Sequence, residues 1–279
     1  MSEQANQSPS AKAEDLRKLH HGPEVLVLPN AWDCASARIF EEAGFPAIAT
    51  TSAGVAFSLG YPDGQRIPRD EMLASVKRMA SRVRVPVTAD LEAGYDDVAK
   101  TAIGLIESGA VGLNLEDLDD SNSRTLVELA KQVQKIKAVR RVGEERGVRI
   151  VINARTDQYL AQIGEAGKRF DRACDRLRAY IEAGADCVFV PGINDEETIG
   201  RLVEALKFPL NILVGAGSPS VSRLRELGVR RVSVGSGLAR TAMGATRRAA
   251  EQLQRTGTYA AMLDGAIPYT EANRLFERG

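Results

Sequence analysis

Acidic side chains follow two neighbouring apolar segments of the sequence, at the point where each segment ends. Asp90 and Glu92 come directly after one segment, and Glu116 ends the next one along the chain. If both segments are strands of one parallel sheet, the three carboxylates meet at one edge and repel each other unless a cation lies among them. Oxygen ligands without His or Cys favour Mg²⁺, with Mn²⁺ as the alternative. The sequence therefore predicts a magnesium site, although such acids can also cap the following helices or pair with surface lysines.

An arginine ends the next apolar segment, where Asn153 is followed two residues later by Arg155. A guanidinium offers a fixed fork of N–H donors, which suits a carboxylate or a developing oxyanion. A metal and Arg155 together predict a site for a small anionic substrate, with Asn153 as a further substrate-binding residue. The alternative is an arginine that only neutralises the acidic side chains.

Residues 51–64 join a predicted strand to a predicted helix and are too long and too rich in glycine for a plain turn. Successive backbone N–H groups from Ser52 to Gly54 can form a concave anion site. Asp63, later in the segment, is expected to fold back towards the metal. Trp32, near the end of the first strand, either walls the substrate pocket or covers that end of the fold.

Several kinds of catalysis are excluded by the residues that could carry them. The two histidines, His20 and His21, are adjacent and precede the first strand, which removes Ser-His-Asp and Cys-His chemistry and His-rich zinc sites. The three cysteines are widely spaced and odd in number, which argues against a disulfide framework and fits a reducing cytoplasm. The lysines fall in predicted helices or loops, which excludes an imine-forming aldolase.

Composition places the chain among ordinary globular proteins. Of 279 residues, 44% are hydrophobic and 27% are charged, which excludes the disordered and fibrous classes. Thirty-seven basic residues balance thirty-seven acidic ones, so no net field attracts nucleic acid. No stretch reaches the length of a membrane span, and the polar start of the chain has no signal-peptide core. We therefore expect a cytoplasmic protein without nucleic-acid or membrane partners.

One unit recurs along the chain: an amphipathic segment ends at glycine and a short apolar strand follows. Glycine past a helix adopts the left-handed conformation at little cost, and continuous apolar runs suit parallel strands covered on both faces. Eight strands are predicted, at residues 25–28, 47–50, 85–88, 112–115, 149–153, 187–190, 210–214 and 231–234. Eight such units predict a (β/α)₈ TIM barrel, with a doubly wound open sheet as the alternative.

The chain divides into three predicted parts. Residues 1–21 are expected to be a flexible N-terminal tail, residues 22–255 the barrel, and residues 256–279 a C-terminal helical extension. The extension is more apolar than a free tail should be, so we expect it to pack against another subunit of a homo-oligomer. The alternative is an extension that folds back over its own barrel.

Five ordered motifs resemble those of the isocitrate lyase/phosphoenolpyruvate mutase superfamily, on its mutase-like branch. They cover about residues 22–255 and read NAWD at 30–33 with SAR at 36–38, the segment 51–64, DLEAGY at 90–95, NLED at 114–117 and NARTD at 153–157. The resemblance implies a (β/α)₈ barrel that binds Mg²⁺. It also implies that a C–C or P–C bond next to the α-carbon of a 2-oxo acid is made or broken through an enolate-like oxyanion. Dimers that exchange C-terminal helices and pair into tetramers are implied as well.

The same resemblance assigns roles to individual residues. Asp90 is implied to contact Mg²⁺ directly, and three further carboxylates to hold it mainly through water: Asp63, Glu92 and Glu116. Ser52, with the backbone of Ala53 and Gly54, is implied to hold the substrate carboxylate. Arg155 is implied to stabilise the oxyanion.

Departures from the superfamily pattern narrow the reaction. After Asp117 the lyases carry a mobile loop with a Lys-[Lys/Arg]-Cys-Gly-His signature, whose cysteine is the acid–base group, whereas this chain reads LDDSNSR at 118–124. The phosphonate-processing mutase has a histidine where this chain has Pro191. Neither the usual isocitrate-type cleavage nor phosphoryl mutation is therefore expected.

The predicted function is the part of the mechanism that members of the family have in common. A small 2-oxo acid, or a 2-hydroxy or 2-oxo diacid, is bound with Mg²⁺, and its enolate is stabilised. Lyase, decarboxylase and C–C hydrolase reactions all need that part and a proton source. Tyr61, Asp63 and Tyr159 are the candidate proton donors. The alternatives are a catalytically silent barrel that binds a 2-oxo acid and a phosphonopyruvate-type enzyme that processes a P–C bond.

Overall fold

A computed structural model describes residues 7–120 and 125–277 of the chain, the side chain of residue 120 excepted. Its strands, in chain order, are β1 Leu26–Leu28, β2 Asn30–Ala31, β3 Ile48–Thr50, β4 Val87–Asp90, β5 Gly112–Glu116, β6 Leu118–Asp120, β7 Thr125–Leu126, β8 Val151–Arg155, β9 Cys187–Phe189, β10 Leu210–Leu213 and β11 Arg231–Ser233. Nine of them form one parallel sheet, and β6 and β7 form a separate antiparallel hairpin.

The parallel sheet closes on itself through its first strand. β1 and β2 are the two halves of this strand, on either side of Pro29. Leu26 of β1 pairs with Arg231 of the last strand, while Asn30 of β2 pairs with Ala49 of β3. The remaining strands pair in the order β11, β10, β9, β8, β5, β4 and β3. The predicted TIM barrel is therefore confirmed, and the open sheet is excluded.

Helices connect the strands. They are α1 Pro9–Leu19, α2 Cys34–Glu42, α3 Ser52–Ser58, α4 Arg69–Ala80, α5 Val98–Glu107, α6 Leu129–Glu145, α7 Arg169–Glu182, α8 Glu196–Leu206, α9 Val221–Glu226, α10 Gly237–Thr256, α11 Ala260–Leu263 and α12 Tyr269–Glu277. Side-chain caps start several of them; the Asp33 carboxylate, for example, accepts the Ser36 N–H at 2.7 Å. No helix within 7–120 and 125–277 is long and apolar enough to cross a membrane.

Two connections differ from the sequence prediction. Residues 51–64, predicted as a loop, contain the short helix α3, because the Thr51 hydroxyl accepts the Gly54 N–H at 3.3 Å and caps a helix there. The amphipathic stretch at about 123–146 predicts one helix, but the helix begins only at Leu129. The hairpin of β6 and β7 precedes it, and residues 123 and 124 of the predicted helix lie outside the described part.

The N-terminal segment also differs from the predicted flexible tail. Within residues 7–21 the chain forms α1, started by a Ser8 cap and by Pro9. Ala13 and Leu16 are fully buried in an apolar cluster with residues at the beginnings of the barrel strands. α1 thus closes the N-terminal end of the barrel. The segment's polar composition conceals this, because only one narrow face of the helix touches the barrel.

His20, just after α1, makes stability sensitive to acid. Burial lowers the pKa of His20 to about 3, and the charge of Arg231 acts in the same direction. An unfolded histidine has a pKa of about 6.5, so between these values the unfolded state binds a proton that the native state does not. The contribution of His20 to the free energy of unfolding is complete above the unfolded pKa and is lost as the pH falls through this window.

We expect His20 to contribute about 1.4 kcal/mol per pH unit within the window, so that as the pH falls the free energy of unfolding of the wild type decreases by about this much more per unit than that of His20→Gln. Urea denaturation at about pH 7.5 and about pH 5 measures it. His21→Gln, at the exposed neighbouring residue, is the matched control and should keep the slope. Equal slopes in the wild type and His20→Gln would contradict the assignment.

Candidate active site

Asp90 lies at the carboxyl end of β4, where TIM barrels carry their chemistry. Its side chain is buried and held from two neighbouring elements. Ser52, the first residue of α3, donates its hydroxyl to Oδ2 at 2.8 Å and its backbone N–H to the same oxygen at 3.3 Å. The Asn114 amide donates to Oδ1 at 3.4 Å from β5. Asp90 is therefore fixed with its carboxylate at the mouth of the barrel.

Glu92, two residues further, is buried beside Asp90. The backbone N–H of Gln65 donates to its Oε1 at 2.5 Å, and the Tyr95 hydroxyl lies 3.5 Å from its Oε2. Burial and the neighbouring Asp90 raise the pKa of Glu92 to about 7. Gln65, Glu92 and Tyr95 all have left-handed backbones, with φ of 59°, 53° and 60°. Such conformations are uncommon outside glycine and concentrate at functional sites.

Glu116 and Arg155 end neighbouring strands and form an ion pair. Arg155 Nη1 lies 2.8 Å from Glu116 Oε2, while its Nε and Nη2 donate to one oxygen of Asp157 at 3.0 and 2.7 Å. Burial raises the pKa of Glu116 well above its ordinary value, and Arg155 only partly offsets this. Burial opposes the charge of Arg155, but the carboxylates of Asp157, Glu116 and Asp90 outweigh it and raise the arginine's pKa.

Arg155 keeps donors for a ligand. A guanidinium has five N–H groups, and the contacts to Glu116 and Asp157 use three of them. The remaining two are not engaged by residues of the described chain. The ring of Phe189 lies 5.6 Å from the guanidinium carbon, which fixes the plane of the group. Arg155 is thus a preoriented cation at the mouth of the barrel.

A buried ion pair supports the strand ends from behind. Asp117 is fully buried; its Oδ2 accepts from Arg176 Nε and from the Tyr180 hydroxyl, both at 2.6 Å. Its Oδ1 accepts the backbone N–H of Asp157 at 2.9 Å. Asp117 therefore holds the segment that carries Asp157 and Arg155, and both of its oxygens are bonded to the protein itself.

The predicted metal site is a loose ring of carboxylates. Across residues 7–120 and 125–277, no three Asp, Glu, His or Cys side chains stand close enough to share one metal ion directly. Asp90, Glu92 and Glu116 nevertheless act on one another electrostatically, and the main cation among them is Arg155. The pKa of Glu92 is raised first by burial and then by the charge of Asp90. Such an oxygen set fits a divalent cation with one direct carboxylate ligand and others that act through water.

Of the three candidate proton donors, only Asp63 is coupled to the acidic cluster. Desolvation at the rim raises its pKa, with Asp90 adding to the effect and Arg155 opposing it. The Tyr61 hydroxyl instead donates to Glu71 Oε1 at 3.1 Å, outside the cluster. Tyr159 lies near Cys174 and Asp195, beyond the cluster as well. The structure thus favours Asp63 over the two tyrosines.

The predicted carboxylate-binding residues form the first turn of α3. Ser52 and Ala53 are buried, and Ser52 bonds Asp90 as described above. Gly54 has no room for a side chain, since an added Cβ would lie 2.6 Å from Thr51 Cγ2 and 2.9 Å from Trp32 Cβ. The Cβ of Trp32 therefore lies against this turn. The structure places the first turn of α3 beside Asp90.

Asn153 lies deeper than the sequence predicted. Its side chain is fully buried, and its Nδ2 donates to Asn114 Oδ1 at 2.8 Å. Because the barrel's inward-facing residues alternate along each strand, Asn153 is one layer below Arg155, just as Asn114 is one layer below Glu116. Asn153 thus supports the site from below.

Other participants were missed at the sequence level. Alternation from Glu116 back to Asn114 on the same strand face is a signal that could have identified Asn114. Nothing in the residue types indicates Gln65 or Tyr95, whose roles depend on left-handed backbone geometry. Phe189 belongs to a predicted strand, but its position under Arg155 depends on the register of β8 and β9.

Comparisons with known proteins agree with this architecture. The family model for phosphoenolpyruvate phosphomutase matches residues 16–254. The structure of a proposed lyase/mutase from Burkholderia cenocepacia J2315 is 38% identical, with a TM-score of 0.89 over 96% of each chain. That of 2,3-dimethylmalate lyase, a PEP mutase/isocitrate lyase superfamily member, is 29% identical, with a TM-score of 0.83 over 95% of this chain and 94% of that one.

A further similar structure contains a ligand. It is oxaloacetate acetylhydrolase in complex with its product oxalate, 28% identical with a TM-score of 0.85 over 97% of this chain and 94% of that chain. The family match spans nearly all of the barrel and includes every acidic residue of the cluster. The chain therefore belongs to the phosphoenolpyruvate phosphomutase family and is an enzyme of the isocitrate lyase/PEP mutase superfamily.

Proposed function

We propose that this enzyme uses Mg²⁺ to break or form a C–C bond next to the α-carbon of a small 2-oxo acid, or of a 2-hydroxy or 2-oxo diacid, through an enolate-like intermediate. The reaction is that of a lyase, a decarboxylase or a C–C hydrolase. The observation that carries the proposal is Arg155, a partly buried guanidinium with two uncommitted N–H groups beside a carboxylate ring centred on Asp90.

Arg155 supplies what an enolate needs. Its charge is held by Asp157 and Glu116 at 3.0 Å or less, so little reorganisation is required when negative charge develops on the substrate oxygen. Fixed donors in a water-poor site stabilise such charge far better than water does. The two free N–H groups are the ones we assign to the oxyanion.

The substrate carboxylate is assigned to the first turn of α3. Ser52 reaches Asp90 with its hydroxyl, and Ala53 and Gly54 follow in the same turn. A carboxylate bound there is placed between Asp90 and the mouth of the barrel. Asn153 and Asn114 are hydrogen-bonded to each other in the buried layer beneath it.

The proposed Mg²⁺ would be held directly by Asp90 and through water by Asp63, Glu92 and Glu116. When bound, it supplies positive charge that polarises the 2-oxo acid and draws it into a chelate. The same charge offsets the repulsion that raises the pKa of Glu92.

Asp63 is our candidate for the proton donor to the carbanion carbon. Desolvation is the first cause that raises the pKa of its carboxyl, and the charge of Asp90 adds to it. The superfamily's loop cysteine has no counterpart in the LDDSNSR segment at 118–124. The proton must therefore come from another group, and of the three candidate donors Asp63 is the one that Asp90 and Arg155 both influence.

The absent loop signature also favours the second candidate, a silent barrel that binds a 2-oxo acid without turning it over. A P–C bond-processing enzyme is less well supported, because Pro191 occupies the position of the mutase histidine. Turnover separates the candidates. Oxaloacetate and related 2-oxo diacids are incubated with the protein in Mg²⁺ or in EDTA, and products are followed by NMR. Mg²⁺-dependent turnover supports the enzyme, whereas binding without turnover of any acid supports the silent barrel.

We also propose that the chain assembles as a dimer or tetramer through its C-terminal helices. α10 spans twenty residues, of which only Ala239 is buried. Large apolar side chains remain exposed along α10 and the segments after it, among them Met243, Leu253, Met262 and Tyr269. α12 does contact its own barrel, where Leu275 is buried and its carbonyl accepts from Arg38 Nε at 2.8 Å. The exposed remainder is more apolar surface than a monomer usually leaves in water.

Deleting residues 256–279 should convert the full-length oligomer into smaller species, because the deletion removes much of this apolar surface. Light scattering coupled to gel filtration measures the mass of both proteins. A full-length monomer, or a truncated chain that assembles as before, would refute helix exchange.

A further inference from the structure

The interior of this barrel is polar beneath the proposed active site. TIM-barrel cores are usually filled by layers of branched apolar side chains. Here the buried strand residues include several polar ones, namely Thr88, Asn114, Asn153, Asn211, Arg231 and Ser233. Buried polar groups cost free energy unless each is satisfied. Their presence requires a structural or functional account.

Arg231, at the start of β11, is the largest of the fully buried side chains. Its Nη2 donates to Asn114 Oδ1 at 3.1 Å, and its Nη1 lies 3.4 Å from His20 Nε2. Its Nε has no partner within the described chain. Burial lowers the pKa of Arg231 to about 10, which leaves it charged at neutral pH. A buried cation whose contacts are neutral groups is costly.

His20 fixes the lower end of this arrangement. Its Nδ1 lies 2.8 Å from the Leu16 carbonyl oxygen and must donate to it. A guanidinium can only donate, so Nε2 accepts from Arg231 and the ring is the neutral Nδ1–H tautomer. α1 thus orients the guanidinium from the N-terminal end of the barrel.

Asn114 fixes the upper end. Its Oδ1 accepts from both Arg231 Nη2 and Asn153 Nδ2, so its amide nitrogen must face the other way. That nitrogen is the group that donates to Asp90 Oδ1 at 3.4 Å. Arg231 and Asn153 together therefore fix which end of Asn114 meets Asp90, and the positive charge of Arg231 interacts with the negative charge of Asp90.

We propose that Arg231 is a positioning residue which, through Asn114, orients Asp90 and offsets its negative charge, and so couples α1 to the active site. The link to ligand binding rests on the proposed function, in which Asp90 holds the metal. The link between Arg231 and Asp90 does not, since it exists in the protein alone. The rival explanation is that Arg231 only fills the barrel interior.

The first experiment uses the metal-free protein and needs no ligand. Urea midpoints are measured for the wild type, Arg231→Met, Asp90→Asn and the double variant. If Arg231 offsets the charge of Asp90, the two substitutions are not additive. The urea midpoint of the double variant then decreases by less than the sum of the decreases in the two single variants. The control cycle uses Arg140→Met in place of Arg231→Met, because Arg140 is a partly buried arginine that is paired with Asp186. The control shifts should add; additive shifts in the Arg231 cycle would overturn the proposal.

The second experiment measures oxalate affinity in saturating Mg²⁺ by calorimetry. Arg231→Met should weaken oxalate binding about tenfold, because both the orientation of Asn114 and a nearby positive charge are lost. Arg231→Lys, which keeps the charge, should recover part of the loss, and Arg140→Met should bind as the wild type does. Unchanged affinity in Arg231→Met would overturn the link to the site. A wild type that binds no oxalate would refute the proposed function, while the metal-free cycle would still decide the role of Arg231.

Discussion

Asp90→Ala is expected to abolish Mg²⁺-dependent binding of oxalate, a mimic of the enolate of pyruvate. The substitution removes the one carboxylate assigned to touch the metal and leaves Glu92 and Glu116 to repel each other across the gap. It also frees the Ser52 hydroxyl, which donates to Asp90 at 2.8 Å. Calorimetric titration of oxalate with and without Mg²⁺ measures the effect.

A matched aspartate separates the metal from general damage. Asp97 caps α5, where its carboxylate accepts the Ala99 and Lys100 N–H groups at 3.1 Å. Asp97→Ala should cost stability by about 1 kcal/mol, as loss of a helix cap does, and leave oxalate binding intact. Unchanged affinity in Asp90→Ala would refute the metal assignment.

Arg155→Lys should reduce turnover of the active 2-oxo acid by about two to three orders of magnitude if the arginine serves the transition state. Lysine conserves the charge, but a point ammonium cannot contact Asp157, Glu116 and the substrate oxygen at once. The loss should appear chiefly in kcat, because the interaction strengthens as the oxyanion forms.

Steady-state kinetics of three proteins decide this point. Arg223→Lys is the control, since Arg223 makes comparable ion pairs with Glu196 and Glu226 at 2.8 Å but lies on the surface. It should behave as the wild type does. Near-normal turnover in Arg155→Lys would show that Arg155 is only a counter-charge for the acidic cluster.

The barrel and the ends of its strands could be read from the sequence because the signals are local. Gly44, Gly109, Gly184 and Gly228 each follow a helix with positive φ, as the recurring unit predicted. An apolar run followed by an acid places that acid at a strand end whatever the rest of the chain does. The positions of Asp90 and Arg155 follow from this alone.

What the sequence does not reveal depends on contacts between distant segments. Arg231 and Asn114 are 117 residues apart and meet only when the barrel closes. Arg231 begins a predicted strand, and its polar character there suggests exposure; its inward direction comes from the register of β11 with β1 and β10. His20 belongs to the predicted tail for the same reason. Its burial depends on the packing of α1 against the closed barrel, which no local sequence pattern indicates.

The candidate proton donors show a finer limit. Tyr61 and Asp63 are two residues apart in one segment, yet only Asp63 is coupled to Asp90. Tyr61 is drawn outward by Glu71, ten residues later on α4. Their position in the segment 51–64 predicts that both side chains lie near the mouth of the barrel. Only the path of the chain after α3 shows that the two side chains have different partners.

A crystal structure of the wild type with Mg²⁺ and oxalate tests the central claim most directly. The account predicts one metal ion with Asp90 as its direct protein ligand and with Glu92 and Glu116 bound through water. Oxalate should chelate that ion, with one carboxylate on Ser52 to Gly54 and the other on the free N–H groups of Arg155. Oxalate bound away from Arg155, or a metal ion that Asp90 does not contact, would contradict it.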